Sequence, residues 1–129
     1  MAHPDQVSAV DAFDLPEWLG LAQVTWSATS SVHGGHLVQG ELHADDESLV
    51  CDLRAVDQAY PEPVIAERWR RTAHQAWTYG QVLLVDCDGR LTLAVPGTGF
   101  TADLVLEALG RLAKAVGAPP SRFVAALRL

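Results

Sequence analysis

The sequence predicts an α+β domain built on a single antiparallel sheet of about five to six strands. The predicted order is helix, three strands, helix, two strands, helix, strand, with the two long helices packed on one face of the sheet. Three observations carry this. Apolar and polar residues alternate with period two over 21–57 and again over 122–129. Two stretches with apolar residues three and four apart, each closed by a glycine, interrupt the strands. Short turn-forming groups separate the strands, so sequence neighbours are expected to pair.

The elements follow in order. Val7, Val10 and Phe13 lie three apart and suggest a weak amphipathic helix in an N-terminal arm over residues 1–20. Asp14 is placed to cap a second helical turn, with Pro16 and Glu17 behind it, and Trp18 and Leu19 anchor the arm. Three strands fill 21–57. Val24, Trp26 and Ala28 alternate with Thr25, Ser27 and Thr29; Val38, Gly40 and Leu42 alternate with Gln39, Glu41 and His43. Leu49, Cys51, Leu53 and Ala55 alternate with Val50, Asp52 and Arg54. A three-residue loop, His33 to Gly35, pairs Trp26 with Leu42 and Ala28 with Gly40, whereas a two-residue loop would mix apolar and polar faces. Pairing Ala44 with Leu49 sets Leu42 beside Cys51 and places Ser27, Glu41 and Asp52 in one polar row.

Pro61-Glu62-Pro63 ends the third strand and opens a helix with the stripe Ile65, Trp69, Ala73, Ala76 and Trp77, stopped by Gly80. Asp88-Gly89, between Val82–Cys87 and Leu91–Val95, is the strongest hairpin signal in the chain. The run Val82-Leu83-Leu84-Val85 is apolar on both faces and marks a strand covered on both sides. Thr101 caps a second long helix with the stripe Val105, Ala108, Leu109, Leu112 and Val116 and an outward Glu107–Arg111 pair. Gly117 and Pro119-Pro120 end it. Phe123, Ala125, Leu127 and Leu129 then alternate with Arg122 and Arg128 as a half-buried strand.

At 129 residues, 49% hydrophobic and 19% charged, the chain is expected to be one domain over 1–129 with a core of its own. Disorder is excluded for most of its length. No apolar run is long enough to span a membrane, and the acidic start does not resemble a secretory signal. A net charge of −7 argues against nucleic acid or an anionic membrane as partner. The charge is uneven: residues 1–62 carry eleven acids and one base, and residues 63–129 carry five acids and eight bases. Cys51 and Cys87 show no CxxC spacing and read as small buried hydrophobes of a reducing, cytoplasmic protein.

Chemistry is thinly signalled. His33, His36 and His43 do not converge in the expected registers, so no metal and no cofactor are expected. Pro96-Gly97-Thr98-Gly99 joins strand to helix but lacks the lysine of a phosphate-binding loop. No nucleophile motif is present, and the balance leans away from an enzyme. The candidate catalytic residues are Glu41, His43, Asp52 and Arg54, which would share one patch of the polar sheet face. The candidate partner-binding residues are Arg70, Arg71 and His74, which decorate the first long helix.

The order helix, three strands, helix, two strands, helix over about residues 5–117 is similar to that of type III secretion chaperones and their bacterial relatives. That resemblance implies a dimer that binds partner peptides; the added C-terminal strand departs from it. The expectation is a non-enzymatic binding module for a protein or peptide partner, acting as a homodimer. The alternative is a small-molecule-binding protein or enzyme using the polar face of the three-stranded meander.

Overall fold

The computed structural model describes residues 7–21, 23–32, 35–57 and 65–129. They form two mixed sheets, so the single antiparallel sheet is corrected. Sheet A runs β1 (Val7–Val10), β7 (Leu83–Cys87), β8 (Arg90–Val95), β6 (Asp52–Ala55) and β3 (Leu37–Val38). Sheet B runs β5 (Glu47–Val50), β4 (Gly40–Ala44), β2 (Val24–Ala28) and β9 (Phe123–Ala126). The helices are α1 (Trp18–Leu21), α2 (Glu67–Thr78) and α3 (Ala102–Ala115). Each sheet contains one parallel pair, β6 with β8 and β2 with β9. Alternation tells which residues share a face; it does not tell which distant strand lies alongside.

The two sheets share a bent hairpin. β3 with β4, and β5 with β6, are two long strands in one register, from Leu37 opposite Arg54 to Ala44 opposite Glu47. The ladder breaks around Gln39 and Cys51, so one half of the hairpin belongs to sheet A and the other to sheet B. Trp26 fills the inside of the bend. Its indole lies on Gly40, where any Cβ would overlap the ring, and its Nε1–H donates to the Cys51 carbonyl at 2.9 Å. The Gly40 N–H reaches the Asp52 carboxylate at 3.3 Å. The backbone groups released by the bend are thereby given side-chain partners.

The β2–β4 register is the expected one, with Trp26 opposite Leu42 and Ala28 opposite Gly40; residues 33 and 34 of the loop lie outside the described residues. The next hairpin differs. Asp45 takes a φ of +54°, Asp45 and Asp46 alone make the turn, and Leu42 meets Leu49 rather than Cys51. A slip of two residues keeps every side chain on its face but changes every partner.

The two long helices pack on opposite faces of sheet A, not on one. Ile65, Trp69 and Ala73 meet Val85, Cys87 and Ala94. Val105, Ala108, Leu109 and Leu112 meet Leu84, Leu93 and Val95 together with Trp26 and Leu42 of sheet B. Leu84 and Val85 therefore point opposite ways, and β7 is covered on both sides as its apolar run predicts. Asp88 and Gly89 adopt φ of +55° and +82°, the two-residue hairpin turn that Asp-Gly favours. Thr101 Oγ1 accepts the Leu104 N–H at 3.2 Å, and Glu107 pairs with Arg111 at 2.8 Å. α2 begins at Glu67, and residues 61–63 lie outside the described residues.

The N-terminal arm is also corrected. Val7–Val10 is a strand, because Val7 packs on the α2 face of sheet A and Val10 on the α3 face. Two valines three apart can serve two faces of a sheet as readily as one stripe of a helix. A separate turn, Ala12–Asp14, precedes α1; Asp11 caps it, accepting the Phe13 N–H at 2.9 Å, and Asp14 is its last residue. β1 and β9 each add an edge strand, β1 to sheet A and β9 to sheet B.

Candidate functional site

The polar row divides. Ser27, Glu41 and Val50 stand side by side on the outer face of sheet B, and Asp52 is absent from that row. The expected pair of facing carboxylates does not exist, because the Asp45–Asp46 turn is shorter than the loop it was inferred from. Glu41 and His43 do meet, at 3.3 Å, with side chains 41% and 42% exposed. A contact this open contributes about 0–1 kcal/mol.

Asp52 lies in sheet A and is 3% exposed. Arg90 grips it bidentately, Nε to Oδ2 at 2.7 Å and Nη2 to Oδ1 at 3.0 Å. Its Oδ1 also accepts the Gly40 N–H. Three hydrogen bonds converge on it, so the carboxylate acts as a staple at the bend. The hydrogen bonds to Asp52 push the Arg90 guanidinium further above its ordinary pKa, against the opposing effect of burial. Arg90 escaped the sequence reading because its partner lies 38 residues away on a parallel neighbour.

Arg54 is half-buried opposite Ala94, with a buried Nε that has no hydrogen-bond partner among the described residues. Burial, and secondly the charge of Arg54, lower the pKa of His36. Arg54 is thus separated from Glu41 and His43, and the four candidate residues do not form one patch. On α2, Arg71 is exposed and Arg70 buries an Nε that has no hydrogen-bond partner among the described residues. His74 turns aside to Asp57, Nε2 lying 2.8 Å and 3.0 Å from the two carboxylate oxygens, while Asp57 Oδ2 accepts the Gly97 N–H at 2.9 Å. This contact ties α2 to the two strand ends. Among the described residues no group of three or more His, Cys, Asp or Glu side chains could hold a metal ion. Among them, too, no helix is long and apolar enough to cross a membrane.

Two surfaces stand out, of which the sequence marks only the first, as an alternating C-terminal strand. The first is the outer edge of β9, the end strand of sheet B. Val124 is 46% exposed there, and Arg122 and Arg128 stand at either end of the run. Beyond β9 the chain stays alongside, with the Val32 N–H donating to the Arg128 carbonyl at 2.8 Å. The second surface surrounds Asp11 to Leu21, where Phe13 and Leu21 stand out into solvent beside two grooves over the end of α3. Apolar residues are assigned to a core by default, so no sequence pattern distinguishes an exposed Phe13 from a buried one. Comparison with known protein families, curated proteins and solved structures finds no match for this chain.

Proposed function

We propose that the chain is a non-enzymatic binding module that takes an extended, acidic segment of another protein along the outer edge of β9. One observation carries the reading: β9 is an end strand, unpaired on its outer side among the described residues, and framed by two arginines. A strand edge offers backbone donors and acceptors at fixed spacing, which is what an extended peptide needs in order to add to a sheet. The other edges suit this less. β3 has two residues. β5 opens with Glu47 directly after exposed Asp45 and Asp46, and β1 is followed by Asp11 and Asp14. Arg122 and Arg128 each donate one hydrogen bond to a backbone carbonyl, of Gly20 and Thr29, and neither has a carboxylate partner among the described residues. A reducing, cytoplasmic setting belongs to the same proposal, supported by two free buried cysteines and an acidic composition.

Selection from a random-sequence peptide display library tests it. Enriched peptides should combine acidic with β-branched residues and should slow amide exchange over 123–128. Arg122→Glu with Arg128→Glu should shift the selection toward basic peptides. Binders that leave the 123–128 amides unprotected would refute the reading.

A further inference from the structure

The segment from Asp11 to Leu21 crosses the C-terminal end of α3 as a strap and is fastened on both sides. Before it, β1 is paired into sheet A. Within it, Leu19 is fully buried, and Gly20 sits so close to α3 that a Cβ would lie 2.7 Å from the Val116 carbonyl oxygen. The strap separates two grooves of about 500 and 590 Å³, which both reach Lys114 and Ala115. Despite this anchorage Phe13 is 93% exposed and Leu21 77%. Phe13 is not on a loose end: Asp11 Oδ1 holds its N–H, and the Asp11 carbonyl accepts the Asp14 N–H at 2.9 Å. A fixed backbone that keeps a large aromatic ring in water marks a contact surface, because the ordering that association would require is already done.

We propose that this patch is where a second copy of the chain binds, with Phe13 of each copy entering the larger groove of the other. Three observations favour a second copy over a different protein. Knob and hole lie side by side on one patch, which a two-fold interface requires because both partners use the same surface. The larger groove is lined by Leu15, Leu21 and Val116, which suit an aromatic ring. Its charges are self-complementary: Glu17 and Lys114 both line it, and neither has an ion-pair partner among the described residues. Two-fold packing sets Glu17 of each copy against Lys114 of the other. The β9 edge is the competing face for self-association, and it is disfavoured. Antiparallel pairing of two such edges about Ala125 would set Arg122 against Arg128 twice, and like charges directly opposite repel. This interface is independent of the peptide edge proposed above.

Sedimentation equilibrium of the full chain at tens of micromolar tests the proposal. The expected mass is about 28 kDa, twice the 13.9 kDa chain. Phe13→Ser should weaken the dimer about tenfold or more, with an unchanged circular dichroism spectrum because the ring makes no core contact. Glu17→Lys and Lys114→Glu should each weaken it, and mixing the two variants should restore a dimer of one copy of each. A wild type that stays at the monomer mass up to hundreds of micromolar would overturn the proposal and leave the groove to another occupant. So would a dimer that Phe13→Ser and both charge reversals leave unchanged.

Discussion

One hairpin crosses both sheets, and its polar residues meet opposite fates in each. In sheet A, packed on both faces, Asp52 is buried and Arg90 grips it with two hydrogen bonds. In sheet B, covered on one face, Glu41 rests beside His43 with its side chain 41% exposed. The alternation that produces the two carboxylates is the same. What differs is the cover, and a covered charge must find a partner while an open one need not. A polar residue in a strand pattern therefore announces its face but not its role.

The sharpest way to break the contrast is at the bend. Trp26→Ala should cost about 3–5 kcal/mol, since the ring is fully buried and its loss also strips the Cys51 carbonyl of its donor. Thr25→Val, one residue away on the open face, should stay within about 0.5 kcal/mol. Urea midpoints at constant slope measure both, and equal costs would mean the sheets do not meet at Trp26.

The two carboxylates give the next comparison. Asp52→Asn should cost about 2–3 kcal/mol, less than a fully buried pair because Arg90 keeps access to water. Glu41→Gln should cost no more than about 0.5 kcal/mol. If Glu41→Gln proved as costly, the outer face of sheet B would not be open.

The last comparison is read in the pH dependence of stability. Burial, and then the charge of Asp52, push the Cys51 thiol from an ordinary 9.0 up to about 12. Below about 9 the thiol is neutral in both the folded and the unfolded chain and contributes no slope. Above that, the unfolded thiol ionises first, so stability should fall as pH rises toward 12. Cys51→Ala should remove this part of the alkaline decline while costing about 1 kcal/mol at neutral pH. A decline equally steep in both proteins would assign it to other groups.

Much of the local structure was legible in the sequence. Thr101, Asp88-Gly89, Gly80 and the stripe of α3 act within a few residues, and such signals are read directly. The β2–β4 register was legible too, since only one loop length kept Trp26 and Leu42 on the same face. What was hidden depends on distant partners or on a bend. Nothing around Phe123 names β2 as its neighbour, and nothing in Val7–Val10 separates a two-faced strand from a helical stripe. Gly40 fits an ordinary strand until Trp26 is known to lie on it. The candidate site failed for the same reason, since a two-residue turn in place of a four-residue one moved Asp52 out of the row with Glu41.

The pairing of β2 with β9 also sets a timetable. Val24 lies opposite Phe123, 99 residues later in the chain. At a synthesis rate of about 5–20 residues per second, roughly 5–20 seconds separate the appearance of the two strands. Throughout that interval the β9-facing edge of β2 is bare on the growing chain, open to pairing with any other nascent strand. A ribosome-bound intermediate stalled before residue 123 would therefore carry an open strand edge that the finished chain covers. Slowing translation late in the message would lengthen its exposure without altering a single residue.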